Sequence, residues 1–391
     1  MTTTASDAML LLPDGMLERF RHRAAAYDDA NVFFTEDFEE LRASGYLRLL
    51  AETRPGDGSG MTRAAAAQRR LAAAAPATAL GVNMHLVWTA VAGLLADRGD
   101  ATLEFILDDA ARGEVFAFGV SEPGNDAVLF DSLTRVEHLP DGGFSYTGTK
   151  VFTSLSPVWT RLGIFGKLVE QEQEQGDDVI LHAFIPRGTP GVETVEDWNP
   201  LGMRATQSQT TRLSGVTVPP DAVFRRTPVG PNADLLVFGI FAAFESLIAS
   251  VYLGIADRAL ELAAQALTRR RSHVADRPLS DDPVLRNLLA GAGMTRTGAE
   301  AELRGVVQDL DARVDDGSRW FARLVTLKTH AVDAAVAATS AALHMGGGSG
   351  FSASSEAVRL HRDALAGQFH PSTEESARAT VATWLLGPPS S

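Results

Sequence analysis

Two side chains in this sequence have the type and setting that chemistry uses. His370 lies in GQFHPSTEESARATVATWLLG, residues 367 to 387, beside Pro371 and ahead of Thr373, Glu374 and Glu375, at the head of what reads as the last helix. An imidazole with a pKa near 6.5 gives and takes protons at neutral pH, so His370 is a candidate acid–base group; the other reading is that it caps the helix or fills a tyrosine-sized space. Glu245 is the single charge in LLVFGIFAAFESLIASVYLGIA, residues 235 to 256. A carboxylate in so apolar a run needs a partner or a task, so it is either a base or half of a buried pair with an arginine. His85, in NMHLVWT, has apolar neighbours and reads as a core histidine. With no cysteine among 391 residues there is no thiolate ligand, no disulfide and no cysteine nucleophile. No His/Asp/Glu grouping has metal spacing, and there is no Gly-Lys-Ser/Thr phosphate loop.

The elements that must position these residues follow from periodicity. Residues 1 to about 110 are rich in alanine and leucine at helical spacing, with GDGSG at 56 to 60 and Pro76 as breaks. From about 115 to 225, segments such as VFAFGVSEPG, GGFSYTGTKVFTS and DVILHAFIPR alternate or run apolar between turns, as strands do. After Pro219 and Pro220 the chain is expected to be helical to its end, interrupted by RPLSDDP and MGGGSGFSASS. The expected division is 1–113 helical, 114–225 β and 226–391 a helical bundle.

Composition limits the partners. A net charge of −14 argues against nucleic acid, since phosphate neutralisation needs a basic face. The N-terminus, MTTTASDAMLLLPDG, lacks the basic start and long apolar core of an export signal, so a cytoplasmic protein is expected. The run from 235 to 256 is long enough to span a bilayer, but a carboxylate at the bilayer centre costs roughly 2.5 kcal/mol or more, so the central helix of a bundle is the expectation.

The segments VSEPGND, GTKVFTS, PLGMRATQSQTTRLSGVTVP, HMGGGSGF and RDALAGQFHPSTEESA stand in the order and spacing of the acyl-CoA dehydrogenase superfamily, which the chain resembles from about residue 80 onward. The resemblance implies an α+β fold: an N-terminal α-helical domain, a central β-barrel-like domain and a C-terminal four-helix bundle. It also implies a homotetramer with FAD, or FMN, held between the β domain and the bundle and partly by a neighbouring subunit. By that resemblance Val120 and Ser121 lie along the flavin pyrimidine, Phe152 stacks near the isoalloxazine and Ser154 stands near flavin N5. Arg271 falls where the family reaches the pyrophosphate, and Gly347 and Gly348 match paired glycines near the adenine half, with His344 in place of a usual glutamine. Thr373 and Glu375 match contacts to the flavin or its ribityl chain.

The resemblance departs from the dehydrogenases where their chemistry sits. The position of their catalytic glutamate is Pro371, which cannot act as a base, and the alternative base position on the long helix is Phe244, one residue before Glu245. GNDAVLF also replaces the Gly-Ser-Asp that follows SEPG in the family and serves the acyl thioester. Arg362 and His370 instead have the eight-residue separation found in the flavin monooxygenases of this fold. The resemblance therefore implies a two-component monooxygenase, fed reduced flavin by a separate reductase, using O2 through a C4a-hydroperoxide to oxygenate a small N, S or aromatic C centre. Its alternative is an acyl-CoA or acyl-carrier-protein dehydrogenase with a relocated base, for which Glu245, Glu374 and His370 are the candidates. A scaffold that binds no flavin is the non-enzymatic reading.

Overall fold

A computed structural model of the chain describes residues 10–52, 60–168 and 178–388. All but the last glycine of GDGSG, and the first nine residues of the N-terminus read for an export signal, lie outside the described residues. The N-terminal helices are α1 (Asp14–Ala30), α2 (Thr35–Ala43), α3 (Gly60–Ala72), α4 (Pro76–Ala96) and α5 (Glu104–Ala111). Pro76 opens α4, where its missing N–H costs nothing and its fixed φ suits the first turn. Beyond it the helix is apolar around nearly its whole circumference and is buried accordingly.

His85, near the middle of α4, is the core residue its neighbours suggest. Its Nε2 lies 2.7 Å from the Leu47 carbonyl and its Nδ1 accepts the Phe116 N–H at 3.1 Å. Both nitrogens are thereby used by a neutral ring, and burial pushes its pKa down to about 4.

Eight strands follow: β1 (Phe116–Gly119), β2 (Arg135–His138), β3 (Phe144–Thr153), β4 (Arg161–Leu168), β5 (Val179–Pro186), β6 (Val192–Val195), β7 (Gln209–Val218) and β8 (Val223–Pro228). They form one mixed sheet in the order β6-β7-β3-β2-β4-β5-β8, with β1 also paired to β4. Strands β1 and β2 lie end to end along β4, both parallel to it: Phe116 to Gly119 pair with Arg161 to Ile164, and Arg135 and Val136 with Lys167 and Leu168. The residues between β1 and β2, which include SEPGND, must therefore leave the sheet and return. That excursion is one wall of the site described below.

The chain does not become helical straight after Pro219 and Pro220. VFRRTP first forms β8, so the expected boundary at 225/226 falls inside a strand. Its charged centre hides it from a reading by hydropathy, because Arg225 is satisfied by Asp100 and Asp234 rather than by water. The bundle then comprises α6 (Leu235–Arg269), α7 (Pro283–Asp311), α8 (Arg319–Gly346), α9 (Glu356–Leu365) and α10 (Glu374–Leu386). A further break at ARVDDGS, between α7 and α8, divides the stretch that reads as continuous helix. Asp234 caps α6 by accepting the Leu236 N–H at 2.8 Å, and Asp282 caps α7 by accepting that of Val284 at 2.9 Å.

α6 is the axis of the bundle and packs on α8, α4 and α3. Each fully buried Leu or Ile along it contributes roughly 1.5–3 kcal/mol. Helices α4 and α6 are long and apolar enough to cross a membrane, but 89% and 78% of their apolar windows are buried inside the protein. Gly254 lets the α3 backbone approach α6, since a Cβ there would meet the Arg69 carbonyl oxygen at 2.4 Å.

Candidate active site

A cavity of about 390 Å³ opens where the sheet meets the bundle, within the size range of small-molecule sites. Leu80 and Met84 of α4 line it, as do Val120, Ser121 and Val128 of the β1–β2 excursion, and Phe152 and Ser154 at the end of β3. On the bundle side stand Phe241, Phe244 and Glu245 of α6, and Phe369, His370 and Pro371 of the segment between α9 and α10. The segment from Trp198 to Ser208 closes the remaining side.

The β1–β2 excursion is pinned from beneath by Glu122 of SEPG. Its carboxylate accepts from Lys150 Nζ at 2.7 Å, from Thr134 Oγ1 at 2.6 Å, and from the Leu133 and Thr134 N–H groups at 2.8 and 2.9 Å. Burial works against its ionisation, but the Lys150 charge and these donors outweigh it and hold the carboxyl at about 2. Burial lowers Lys150 only to about 8, so the pair is ionised at neutral pH. The acid of SEPG and the lysine of GTK are thus one internal strut. It leaves Val120 and Ser121 at the cavity edge, with the Ser121 carbonyl accepting the Val151 N–H at 2.8 Å.

Just beyond that contact Phe152 adopts φ 60, a left-handed conformation that costs a non-glycine residue roughly 1–2 kcal/mol. The ring it presents is 58% exposed and forms part of the cavity wall, with only the edge of Trp198 against it at 6.1 Å between centroids. A bare aromatic face held in a strained turn, beside the hydroxyls of Ser121 and Ser154, fits the planar ring system of a flavin with its row of polar ring atoms.

Ser154 is the open end of a hydroxyl chain. Its Oγ lies 2.7 Å from Ser208 Oγ, which lies 2.8 Å from Thr206 Oγ1, which donates to the Met203 carbonyl at 2.9 Å. Met203 and Gln207 both have positive φ, 54 and 44, so this turn is tightly wound. It is tied to α9 by Asp363, whose Oδ1 accepts the Met203 N–H at 2.6 Å, and by Arg362, which donates to the Leu201 carbonyl at 2.8 Å and pairs with Asp28. Gly202 permits this contact, because a Cβ there would meet the Arg362 carbonyl oxygen at 2.2 Å.

His370 does not cap the last helix; Thr373 does, its Oγ1 accepting the Ser376 N–H at 3.4 Å. The imidazole is turned inward between Phe244 and Tyr252, with ring centroids 6.5 and 5.8 Å away. Its Nε2 is buried and has no hydrogen-bond partner among the described residues. Burial, and then the Lys328 charge, push its pKa down to about 3, so at neutral pH it is an uncharged ring rather than one poised near 6.5.

Glu245 is 1% exposed, and among the described residues no arginine pairs with it; Ser372 meets it instead. Its Oε1 accepts the backbone N–H and the hydroxyl of Ser372, each at 3.1 Å, while Oε2 is buried without a partner among the described residues. Burial raises its pKa well above the carboxylate range, against the opposing charge of Lys328. Lys328 in turn donates to the carbonyls of His370 at 3.0 Å and Ser372 at 2.7 Å. The loop carrying His370 is therefore held by its backbone from both sides.

Six of the residues that the sequence singles out, Val120, Ser121, Phe152, Ser154, Glu245 and His370, meet in this one cavity. The other six do not line it. Arg271 is exposed and pairs with Asp276, in a small hairpin after α6. His344, Gly347 and Gly348 lie at the C-terminal end of α8, where Gly347 makes room for Arg270: a Cβ would meet its guanidinium at 2.6 Å. Thr373 caps α10, and Glu375, with the base candidate Glu374, lies in its first turn. Four residues that matter here, Ser208, Thr206, Lys328 and Asp363, are not among the candidates from the sequence. Their signals are present: two hydroxyls within MRATQSQTT, a lone lysine in the apolar repeat of α8, and an aspartate directly after the arginine of RDALAGQFH.

Residues 246–375 match the family described as acyl-CoA dehydrogenase, C-terminal domain. A dibenzothiophene monooxygenase of Rhodococcus erythropolis is 31% identical over 315 residues, 78% of this chain and 73% of that protein. The chain belongs to the acyl-CoA dehydrogenase superfamily. An amino sugar nitrososynthase of Streptomyces rubradiris is 27% identical over 385 residues, 94% of this chain and 86% of that protein. The FMN-bound crystal structure of TdsC from a Paenibacillus species superposes with a TM-score of 0.80 at 25% identity, covering 98% of this chain and 97% of that one. These relatives are flavin-dependent monooxygenases of the superfamily, and the chain is a flavin-dependent oxidoreductase of α+β fold.

Proposed function

We propose that the protein is a monooxygenase that takes reduced FMN or FAD from a separate reductase and inserts one atom of O2 into a small, neutral, largely apolar substrate at a nitrogen, sulfur or aromatic carbon centre. The observation that carries this reading is the character of the cavity: Phe118, Phe241, Phe244 and Phe369 face into it, and its arginine, Arg362, and its carboxyl, Glu245, are both held by protein partners. Among the described residues that line it, no unpaired cation remains for a phosphorylated or carboxylate substrate. The dehydrogenase alternative needs a base, and the two candidates that line the cavity suit it poorly. Pro371 replaces the loop carboxylate, burial and the Lys328 charge push the His370 pKa down to about 3 and so make it a weak base, and burial keeps Glu245 protonated at neutral pH.

Phe152, Val120, Ser121 and Ser154 would hold the flavin, which supplies activation of O2 by its reduced ring. The chain's own residues orient the substrate and exclude water: α4 and α6 form the apolar wall, and the loop from Phe369 to Pro371 covers it. His370 Nε2 is an uncharged hydrogen-bonding atom in a dry place, suited to orient a group at the reacting centre by a hydrogen bond without taking a charge. We further propose a cytoplasmic homotetramer, in which Arg271, His344, Gly347, Gly348, Thr373 and Glu375 serve a flavin beyond the reach of this subunit's cavity.

The test supplies a reductase, NADH, FMN and labelled O2 with an aromatic sulfide, an indole or an alkylamine. One labelled oxygen in the product, and a loss of about 100-fold or more in His370→Asn with FMN affinity retained, is the expected result. Reduction of FMN with release of hydrogen peroxide alone, across all three substrate types, would count against the reading.

A further inference from the structure

The chain from Ser154 through Ser208 and Thr206 to the Met203 carbonyl has only one way to place its hydrogens. Each hydroxyl owns one hydrogen, whereas a carbonyl oxygen can only accept. The 2.9 Å contact to Met203 must use the hydrogen of Thr206. The 2.8 Å contact between Ser208 and Thr206 then needs the hydrogen of Ser208, and the 2.7 Å contact between Ser154 and Ser208 needs that of Ser154. All three contacts are made together in this ordering and in no other. Ser154 Oγ therefore presents lone pairs, and no hydrogen, to the cavity it lines.

We propose that this ordered chain makes the site select the reduced flavin over the oxidised flavin, with Ser208 and Thr206 as the positioning residues that keep Ser154 an acceptor. The inference rests on the flavin reading of the cavity and on Ser154 facing flavin N5. Reduced isoalloxazine carries N–H at N5 and can donate to Ser154, whereas the oxidised ring carries an acceptor there and meets another acceptor. To offer a hydrogen to the oxidised ring, Ser154 would have to break a contact inside a wall where Thr206, Ser208 and Ser154 are all buried. The far end of the chain is equally fixed, because Asp363, itself buried on α9, holds the Met203 N–H. Such a preference suits an enzyme that must accept reduced flavin from solution and let the oxidised form go.

The test measures the dissociation constants of oxidised FMN by fluorescence quenching and of reduced FMN by anaerobic titration, in the full-length chain and three variants. The wild type is expected to bind reduced FMN more tightly. Ser208→Ala frees the hydrogen of Ser154, and Thr206→Val leaves Ser208 free to donate back to Ser154; both should lower the preference for reduced FMN roughly three- to tenfold, chiefly by tightening the oxidised complex, to which Ser154 can now donate. Thr206→Ser keeps the chain and should keep the wild-type ratio. Equal losses in both oxidation states, or an unchanged ratio in Ser208→Ala and Thr206→Val, would overturn the proposal and leave the chain as plain support for the wall. Failure of the wild type to bind FMN in either state would be a different result, removing the flavin reading itself.

Discussion

Glu245 receives both hydrogens that Ser372 can offer, the backbone N–H and the hydroxyl, on the same oxygen at 3.1 Å. That relationship gives the carboxyl a structural task one residue beyond Phe244, the position matched to the superfamily's alternative base. Because burial favours its protonated form, it serves as an acceptor for the loop and not as a charge. Glu245→Gln keeps the accepting oxygen and the volume. It should retain oxygenation within a few-fold in steady-state assays with reductase present. A loss of 100-fold or more would restore Glu245 to the role of a base.

Lys328 holds the same loop from another helix, α8, through two backbone carbonyls. Lys328→Met keeps the aliphatic stem but leaves the carbonyls of His370 and Ser372 without the ammonium they share. Loss of these bonds should destabilise the fold by about 1–3 kcal/mol in urea titration. Substrate KM should rise more than FMN affinity falls, because the loop from Phe369 to Pro371 covers the cavity. A variant as stable as the wild type would show that the clamp contributes nothing.

Much of this plan is legible in the sequence, and the exceptions share a cause. Strand and helix regions follow periodicity, and the turn-rich SEPG and GTK segments mark the cavity wall. Apolar surroundings correctly make His85 a core residue. What hydropathy cannot register is a polar side chain satisfied by distant protein groups: Arg225 hides β8, the Glu122–Lys150 strut sits inside two motifs read for cofactor contacts, and Lys328 meets Glu245's loop from another helix. The ordinary imidazole pKa assumed for His370 fails for the same reason, since burial and the charge of Lys328 are properties of the fold and not of the local sequence.

The displaced histidine pKa values set a direction for acid sensitivity. His370 and His182 are pushed down to about 3 and His85 to about 4, chiefly by burial. Between pH 6.5 and those values the unfolded chain binds protons that the folded one refuses, so this contribution is complete above pH 6.5 and is lost as pH falls toward 3. Asp37 and Asp363, raised to about 6 by burial, act in the opposite sense below pH 6, so a comparison of variants isolates the histidine effect. The stability of His370→Asn relative to wild type should improve steadily from pH 7 to pH 5 in thermal melts. A constant difference across that range would show that His370 takes up its proton in the folded state as readily as in the unfolded one.

Phe152 allows folding and binding to be separated in one substitution. Its φ of 60 is costly for phenylalanine and free for glycine, so Phe152→Gly relieves roughly 1–2 kcal/mol of backbone strain. Against that stand the extra chain entropy of glycine, about 0.5–1 kcal/mol, and the lost edge contact with Trp198. These contributions nearly cancel, so the melting temperature should stay within a few degrees of wild type. If the exposed ring exists to stack on the flavin, FMN affinity should nevertheless fall roughly three- to tenfold, the scale of one aromatic stacking contact. Unchanged affinity in a folded Phe152→Gly protein would mean that the strained turn serves to place Ser154 and not the ring. The Ser208 and Thr206 variants would then carry the whole case for how this wall meets its cofactor.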